Sequence, residues 1–205
     1  MSELKLRLFI AMPGTTMGES AEWKEPEKIK EYYYEKISER LFQKTGKEVE
    51  LVIEKDKVRA GPIHTSMFNE AITADIYVAD LTGNNANVYL ELGARWALKD
   101  SVTIAVSQNV SDILFNAAAS RAIQYGKDPD ILNKAIDKTV EAIIEELSET
   151  DYCDSPVRQN SKIVCFDRGY IEKLKLENLE LKKQGGKIYF LQQKQLITQK
   201  IDYVC

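Results

Sequence analysis

Short runs of apolar residues alternate along the chain with longer stretches in which apolar and charged residues are mixed. The run that begins at Leu6 is mostly apolar and is followed by Pro13 and Gly14, which is typical of a buried strand that leads into a loop. Four further runs share this character. The pattern therefore predicts five strands, over Leu6–Met12, Val49–Ile53, Asp75–Asp80, Val102–Val106 and Arg121–Tyr125.

The mixed stretches have the spacing of amphipathic helices. From Glu25 to Lys44 the apolar residues recur every four positions, and the stretch is followed by Gly46, a residue typical of helix C-termini. The expected buried face of this helix is formed by Ile29, Tyr33, Ile37 and Leu41. Three more helices are predicted over Ile63–Thr73, Ala86–Leu98 and Asp130–Leu147, the last with a buried face of Ile131, Ala135, Ile136, Val140, Ile143 and Ile144.

Strands that alternate with helices indicate an α/β fold, in which helices cover both faces of a parallel sheet. With right-handed crossovers, we expect a five-stranded parallel sheet in the flavodoxin-like order 2-1-3-4-5 over residues 1–148. After Leu147 the chain becomes polar, and residues 149–205 are expected to be an extension of unknown role. Within it, strands are predicted over Lys162–Phe166 and Lys187–Leu191, a helix over Tyr170–Lys183 and a turn at Gly185 and Gly186.

Composition narrows the class of protein. The net charge is −4, so the chain lacks the excess of positive charge that is typical of nucleic-acid-binding proteins. Three cysteines, Cys153, Cys165 and Cys205, match neither a zinc site nor a disulfide framework, so a cytoplasmic location and no metal are expected. The apolar run near the start is too short to span a membrane, and no small-residue cleavage site follows it, so no membrane association is expected.

Ligands of open α/β sheets bind beyond the carboxyl ends of the strands. This rule selects three loops, Pro13–Trp23, Glu54–Gly61 and Leu81–Asn87, in which polar residues and glycines are suited to a sugar or a phosphate. Ordinary turn chemistry explains such residues equally well. The candidate binding residues are Met12, Pro13, Gly14, Thr15, Thr16, Asp56, Arg59, Gly83, Asn84 and Tyr89.

Glu91 is an acidic residue close to the start of the predicted helix Ala86–Leu98. Its neighbours Val88 and Leu92 are expected to pack toward the sheet. Glu91 is then expected to lie beside the crevice at the carboxyl ends of the strands, where ligands bind. The positive end of the helix dipole would hold the carboxylate ionised there. The alternative is a solvated carboxylate at a helix N-terminus with no further role.

The stretch "DIYVADLTGNNANVYLELGARWALKDSVTIAV" resembles the pattern of the TIR-like and nucleoside 2-deoxyribosyltransferase-like superfamily, in which a Thr-Gly-Asn turn leads into Glu-Leu-Gly. "IAMPGTTMGES" resembles the family's first strand and loop, and "DKVRAGPIHTSMFNEAITADI" its next strand-to-helix segment. The resemblance extends from Leu6 to about Tyr125. It departs at Ala86, at Arg95 and Trp96, and in "ILFNAAASR", on the leaving-group side of the pocket.

The resemblance implies cleavage of an N-glycosidic bond. Because the ribosyl carbon becomes oxocarbenium-like as the base departs, a carboxylate beside it stabilises the charge or forms an ester. Glu91 is expected in this role. Asp80 is expected to bind the ribose hydroxyls or to protonate the departing base, and Asn87 is expected to orient Glu91 or the sugar. Nicotinamide leaves as a neutral base from a cationic substrate, so a chain with one histidine, His64, is compatible with NAD; His64 is equally well explained as a helix cap.

The resulting hypothesis is an NAD glycohydrolase, with NAD as substrate and no cofactor, that acts in antiphage defence and self-associates as a homo-oligomer. A nucleoside 2-deoxyribosyltransferase or a nucleotide N-glycoside hydrolase is the enzymatic alternative. A TIR-like module that binds a nucleotide without turnover is the non-enzymatic one.

Overall fold

The computed structural model describes residues 5–53, 63–99, 102–113, 122–149, 153–159 and 176. The chain forms two compact units, residues 1–159 and 160–205. In the described part of the first unit, five parallel strands form one sheet in the order β2-β1-β3-β4-β5, which confirms the predicted flavodoxin-like α/β fold. The strands are β1 (Leu6–Ala11), β2 (Val49–Ile53), β3 (Ile76–Asp80), β4 (Thr103–Ser107) and β5 (Ile123–Gln124).

The central strand β3 is buried along its whole length, as a parallel strand covered on both faces should be. Successive side chains of a strand point to opposite faces. Ile76 and Val78 therefore join one apolar cluster, whereas Tyr77 and Ala79 join the other. The core of the unit is divided into these two layers.

Helices cover both faces of the sheet. The first face carries α1 (Pro26–Ile29), α2 (Glu35–Thr45) and α5 (Pro129–Ser148), and the second carries α3 (Ile63–Thr73) and α4 (Ala86–Leu98). A four-residue helix, α6 (Pro156–Gln159), packs against α4. Among the described residues, no helix combines the length and the apolar character needed to cross a bilayer.

The predicted buried faces are largely confirmed. Ile29, Tyr33, Ile37 and Leu41 are inaccessible to solvent, and Gly46 ends α2 in the left-handed conformation. In α5 the prediction for Ile131 is wrong, because this residue lies in the first turn beside Gly126 rather than over the sheet, and is 49% exposed. Of the elements predicted in residues 149–205, all lie outside the described residues except helical Leu176.

A π-helical turn, Lys30–Tyr34, separates α1 from α2, where a single regular helix was predicted. Its mark is the bond from the Glu35 N–H to the Lys30 carbonyl, five residues back. Both Tyr33 and Tyr34 are fully buried, although neighbouring residues of an α-helix point about 100° apart. Tyr33 stacks on Tyr125 at 4.6 Å between ring centroids.

At the amino-terminal edge of the sheet, the end of α5 meets the segment before α6. The hydroxyl of Ser155 donates to the carbonyl of Trp96. Burial, and then the nearby carboxylate of Asp154, raise the pKa of half-buried Glu146 from 4.5 to about 7, although the backbone N–H of Thr103 opposes the shift. Glu146 is thus an acid whose ionisation opposes folding.

We expect Glu146→Gln to stabilise the protein at pH 8 and to have little effect at pH 4.5. In the unfolded chain Glu146 loses its proton near pH 4.5, whereas the folded protein retains it to about pH 7, so the wild-type free energy of unfolding falls as the pH rises through this window. Because the side chain is partly exposed to solvent, the gain at pH 8 is about 1 kcal/mol. Thermal denaturation at both pH values measures it.

Exposed Glu31 on the π turn provides the matched control, since Glu31→Gln removes one charge without relieving burial. Its effect should stay within about 0.5 kcal/mol at either pH. Equal shifts for the two variants at pH 8 would contradict the assignment to Glu146.

Candidate functional site

The loops that follow β1 and β3 touch each other backbone to backbone. Gly18 and Gly83 both have positive φ, at 98° and 69°. A Cβ atom on Gly83 would lie 2.1 Å from the carbonyl oxygen of Met17, and one on Gly18 would lie 3.0 Å from the Cα of Gly83. The expectation that these two loops share one edge of the sheet is therefore met. Gly18 and Gly83 bring the two loops together, whereas Gly14 is exposed and a Cβ atom there would meet no other atom within 4 Å.

Next to this contact, several predicted binding residues present polar groups to solvent. Thr15 and Thr16 are exposed in the first loop, where Met12 is half-buried and Pro13 is buried. In the second loop Asn84 is exposed. Its side-chain oxygen accepts a bond of 3.1 Å from the hydroxyl of half-buried Tyr89. Two other predicted binding residues, Asp56 and Arg59, lie outside the described residues, as does the side chain of His64.

Helix α4 starts directly at this edge because Asn85 caps it. The side-chain oxygen of Asn85 accepts bonds from the backbone N–H groups of Asn87 at 3.0 Å and Val88 at 3.4 Å. Asn84, just before the cap, adopts a positive φ of 54°, which asparagine tolerates better than most residues. Asn87 is exposed in the first turn of the helix, beside the two loops that meet at Gly18 and Gly83, here called the joined loops.

Asp80, the last residue of β3, is completely buried and held by four hydrogen bonds. One carboxylate oxygen accepts from the hydroxyls of Tyr34 and Tyr125, both at 2.6 Å. The other accepts from the backbone N–H and the hydroxyl of Thr82 at 3.1 and 2.6 Å. Burial raises the pKa of Asp80, and these donors oppose the shift. In this arrangement the carboxylate already serves four protein donors.

Gln108, directly after β4, extends this buried network to the first loop. Its side-chain amide accepts from the Trp23 N–H at 2.7 Å and donates to the Trp23 carbonyl at 2.8 Å. Its backbone N–H donates to the hydroxyl of Thr82 at 3.0 Å. Tyr34, Gln108 and Tyr125 were missed from the sequence. Applying the strand-end rule to β4 and β5 as well would have selected Gln108 and Tyr125.

Glu91 is on the inner side of α4 and only 4% exposed, so the alternative of a solvated carboxylate is wrong. Its charge acts on Tyr77 of β3. Burial raises the pKa of the Tyr77 hydroxyl well above its usual range, the Glu91 carboxylate raises it further, and Arg95 lowers it. Glu91 therefore sits in the interface between α4 and the sheet, below the joined loops.

Arg95, one helical turn beyond Glu91, is a fully buried cation with several backbone partners. Its guanidinium donates to the carbonyls of Ala71 at 2.9 Å and Ala74 at 2.8 Å, and lies 5.5 Å from the centre of the Tyr77 ring. It therefore fastens the end of α3 to α4. In the sequence, Arg95 differs from the family pattern, but nothing in its local pattern indicates this role.

The structure does not bring the two predicted catalytic carboxylates together. Asp80 points to the face covered by α2 and α5, where Tyr34 and Tyr125 lie, whereas Glu91 and Tyr77 lie on the face covered by α3 and α4. The cause is strand alternation, since positions 77 and 80 of one strand face opposite ways. Within the described residues, no group of histidine, cysteine and acidic side chains is arranged to hold a metal ion.

Comparison with known proteins shows a resemblance at the level of structure. No family model matches the chain, and no curated protein does. The structure is similar to the crystal structure of a flavodoxin-like domain from Synechococcus sp., with 14% identity and a TM-score of 0.42. The alignment covers 70% of this chain and 99% of that domain. The assignment to the flavodoxin-like α/β fold rests on the strand order itself.

Proposed function

We propose that this chain is a TIR-like N-glycosidase that cleaves the bond between nicotinamide and ribose in NAD. The observation that carries the proposal is Glu91, a buried carboxylate in the second turn of the helix that starts at the joined loops. The family assignment rests on the block from Ala79 to Leu98, and the role in antiphage defence rests on that resemblance alone.

The chemistry assigned to Glu91 is electrostatic. As nicotinamide departs, positive charge develops on the ribosyl carbon, and a carboxylate beside it lowers the energy of that state. Burial strengthens the interaction because charges attract each other more strongly where water is excluded. The departing nicotinamide needs no proton, so the reaction requires no acid partner on the opposite side of the bond.

The joined loops supply the binding surface in this proposal. Thr15, Thr16 and Asn84 are exposed hydrogen-bonding groups on the two loops, and Asn87 presents an amide at the start of α4. Such groups suit the hydroxyls and phosphates of a dinucleotide. In this proposal Asp80 holds the second loop from below, because its carboxylate accepts hydrogen bonds from Thr82 of that loop and from Tyr125.

A nucleotide-binding module without turnover is the second candidate, and Arg95 is the observation that favours it. A buried cation one turn from Glu91 provides an electrostatic reason for a buried carboxylate that involves no substrate. The two candidates share the binding surface and differ in whether the bond is broken.

The deciding experiment incubates the purified full chain with NAD and separates the products by chromatography. Release of nicotinamide together with an ADP-ribose product supports the N-glycosidase. Thermal stabilisation by NAD without release of nicotinamide supports the binding module. If NAD neither stabilises the protein nor is consumed, both proposals for NAD fail, and a panel of nucleosides and nucleotides then tests the other N-glycosidic substrates.

A further inference from the structure

Gln108 directly follows β4, and its side-chain amide pairs with the backbone of a residue in the first loop. The amide oxygen accepts from the Trp23 N–H at 2.7 Å, and the amide nitrogen donates to the Trp23 carbonyl at 2.8 Å. Two residues that face each other on antiparallel strands exchange the same pair of bonds. Gln108 therefore binds Trp23 as the backbone of an adjacent strand would.

The first loop starts at β1, which is not a neighbour of β4. In the sheet β3 lies between them, so β1 and β4 are about 10 Å apart, twice the spacing of adjacent strands. The bonds at Trp23 show that the loop crosses the end of β3 to reach Gln108. On the way, Gly18 touches Gly83 of the second loop. Gln108 is thus the attachment point at the far end of a loop that spans the carboxyl ends of three strands.

Gln108 also binds the second loop. Its backbone N–H donates to the Thr82 hydroxyl at 3.0 Å, and this hydroxyl in turn donates to the Asp80 carboxylate at 2.6 Å. The amide nitrogen of Gln108 has a further acceptor, the Tyr125 hydroxyl at 3.3 Å. One buried residue therefore connects the far end of the first loop with the second loop and with the end of β5.

We propose that Gln108 is a positioning residue for the ligand, because it fixes the first loop relative to the second and so sets the distance from Thr15 and Thr16 to Asn84. The inference deepens the proposed function and rests on it for the ligand, NAD. Gln108 is only 8% exposed, so it acts through the loops rather than at the ligand. Binding groups that are held in place beforehand lose less entropy when a ligand binds, which raises the affinity.

Gln108→Met tests the role, since methionine keeps the length of the side chain and removes the amide. Without nucleotide, we expect the Trp23 amide proton to exchange with solvent about ten times faster than in wild type, because it has lost its acceptor. Hydrogen exchange followed by NMR measures this rate. The KM for NAD, or the Kd if NAD is bound without cleavage, should rise about tenfold, whereas kcat should change by less than about threefold.

Gln108→Glu tests the same pairing through pH, and it decides the question if Gln108→Met does not fold. A protonated carboxyl group donates to the Trp23 carbonyl and accepts from the Trp23 N–H, as the amide does, whereas a carboxylate only accepts. The affinity for NAD should therefore be close to that of wild type while the introduced group is protonated, and should fall about tenfold as it ionises. Carbon NMR follows this ionisation in the same samples, and wild type provides the reference at each pH.

The surroundings of position 108 favour the protonated form of this introduced group. Burial raises the pKa of a carboxyl group, and the carboxylate of Asp80, which shares the hydroxyls of Thr82 and Tyr125 with Gln108, acts in the same direction. Tyr34, also bound to Asp80, is a neutral donor. The charged neighbours of Trp23 in the first loop, Glu22 and Lys24, are exposed.

Gln124→Met is the matched control. Gln124 is exposed on β5, and its amide donates to the Gln108 carbonyl at 3.1 Å rather than to either loop. This variant should leave the exchange at Trp23 and the affinity for NAD unchanged.

Equal exchange at Trp23 in wild type and Gln108→Met overturns the positioning role, and so does faster exchange with unchanged affinity for NAD. An affinity of Gln108→Glu that stays constant while the introduced group ionises overturns it as well. If wild type does not bind NAD, the proposed function falls, and the exchange at Trp23 still decides whether Gln108 holds the loop.

Discussion

A Glu91→Gln variant is expected to fold, to bind NAD and to cleave it about 100 to 1000 times more slowly than wild type. Glutamine keeps the size of the side chain but removes the charge, which the oxocarbenium-like transition state needs more than the ground state does. The measurement is the rate of nicotinamide release at saturating NAD, with binding followed by thermal shift. A variant that retains a comparable rate would falsify the mechanism.

Glu70→Gln provides a control matched in burial, since Glu70 is also only 4% exposed but is paired with Arg7 at the opposite edge of the sheet. It should lower the free energy of unfolding by about 1–3 kcal/mol because it weakens a part-buried ion pair. The rate of NAD cleavage by the folded fraction should be unchanged. If both variants lose activity equally, a general effect of removing buried charge replaces the catalytic explanation.

Asp80→Ala is expected to lower the free energy of unfolding by about 3–4 kcal/mol, a large part of the stability of a typical domain. The change leaves the buried hydroxyls of Tyr34 and Tyr125, and two donors of Thr82, without their acceptor. Asp80→Asn should cost less, because its amide keeps one acceptor oxygen. Chemical denaturation of both variants measures the difference.

Asp130→Ala serves as the control, since Asp130 is exposed in the first turn of α5 and its loss should cost no more than about 1 kcal/mol. A stable but inactive Asp80→Ala protein would contradict the anchoring role. That result would restore Asp80 as a group that acts on the substrate.

The fold was predictable because its signals are local and repeated. Each strand is an apolar run that ends at a loop, and each long helix carries an apolar stripe, so the elements and the 2-1-3-4-5 order follow from the pattern and from general rules of connection. The π turn was not predictable in this way. The spacing from Ile29 to Ile37 is compatible with a regular helix. The wider turn is visible only in the structure, in the bond from the Glu35 N–H to the Lys30 carbonyl and in the burial of Tyr34 beside Tyr33.

The site was predictable in part. The strand-end rule located the loops that meet at Gly18 and Gly83, but it does not say toward which face a side chain at the strand end points. Counting residues along β3 shows the face, because side chains at positions that differ by an odd number, such as 77 and 80, point to opposite faces of the sheet. The partners of Asp80 come from residues 34 and 125, far away in the sequence, and such long-range pairing leaves no local pattern.

The π turn between α1 and α2 also affects how distant relatives of this chain would align. A turn closed by a bond to the fifth residue back holds one residue more than an α-helical turn. A relative that lacks this residue would keep Ile37 in the core with a shorter, regular helix. Correct alignment with such a relative therefore needs a one-residue gap inside the helix, within Lys30–Tyr34. An ungapped alignment would pair the buried residues on one side of the turn with exposed positions of the relative.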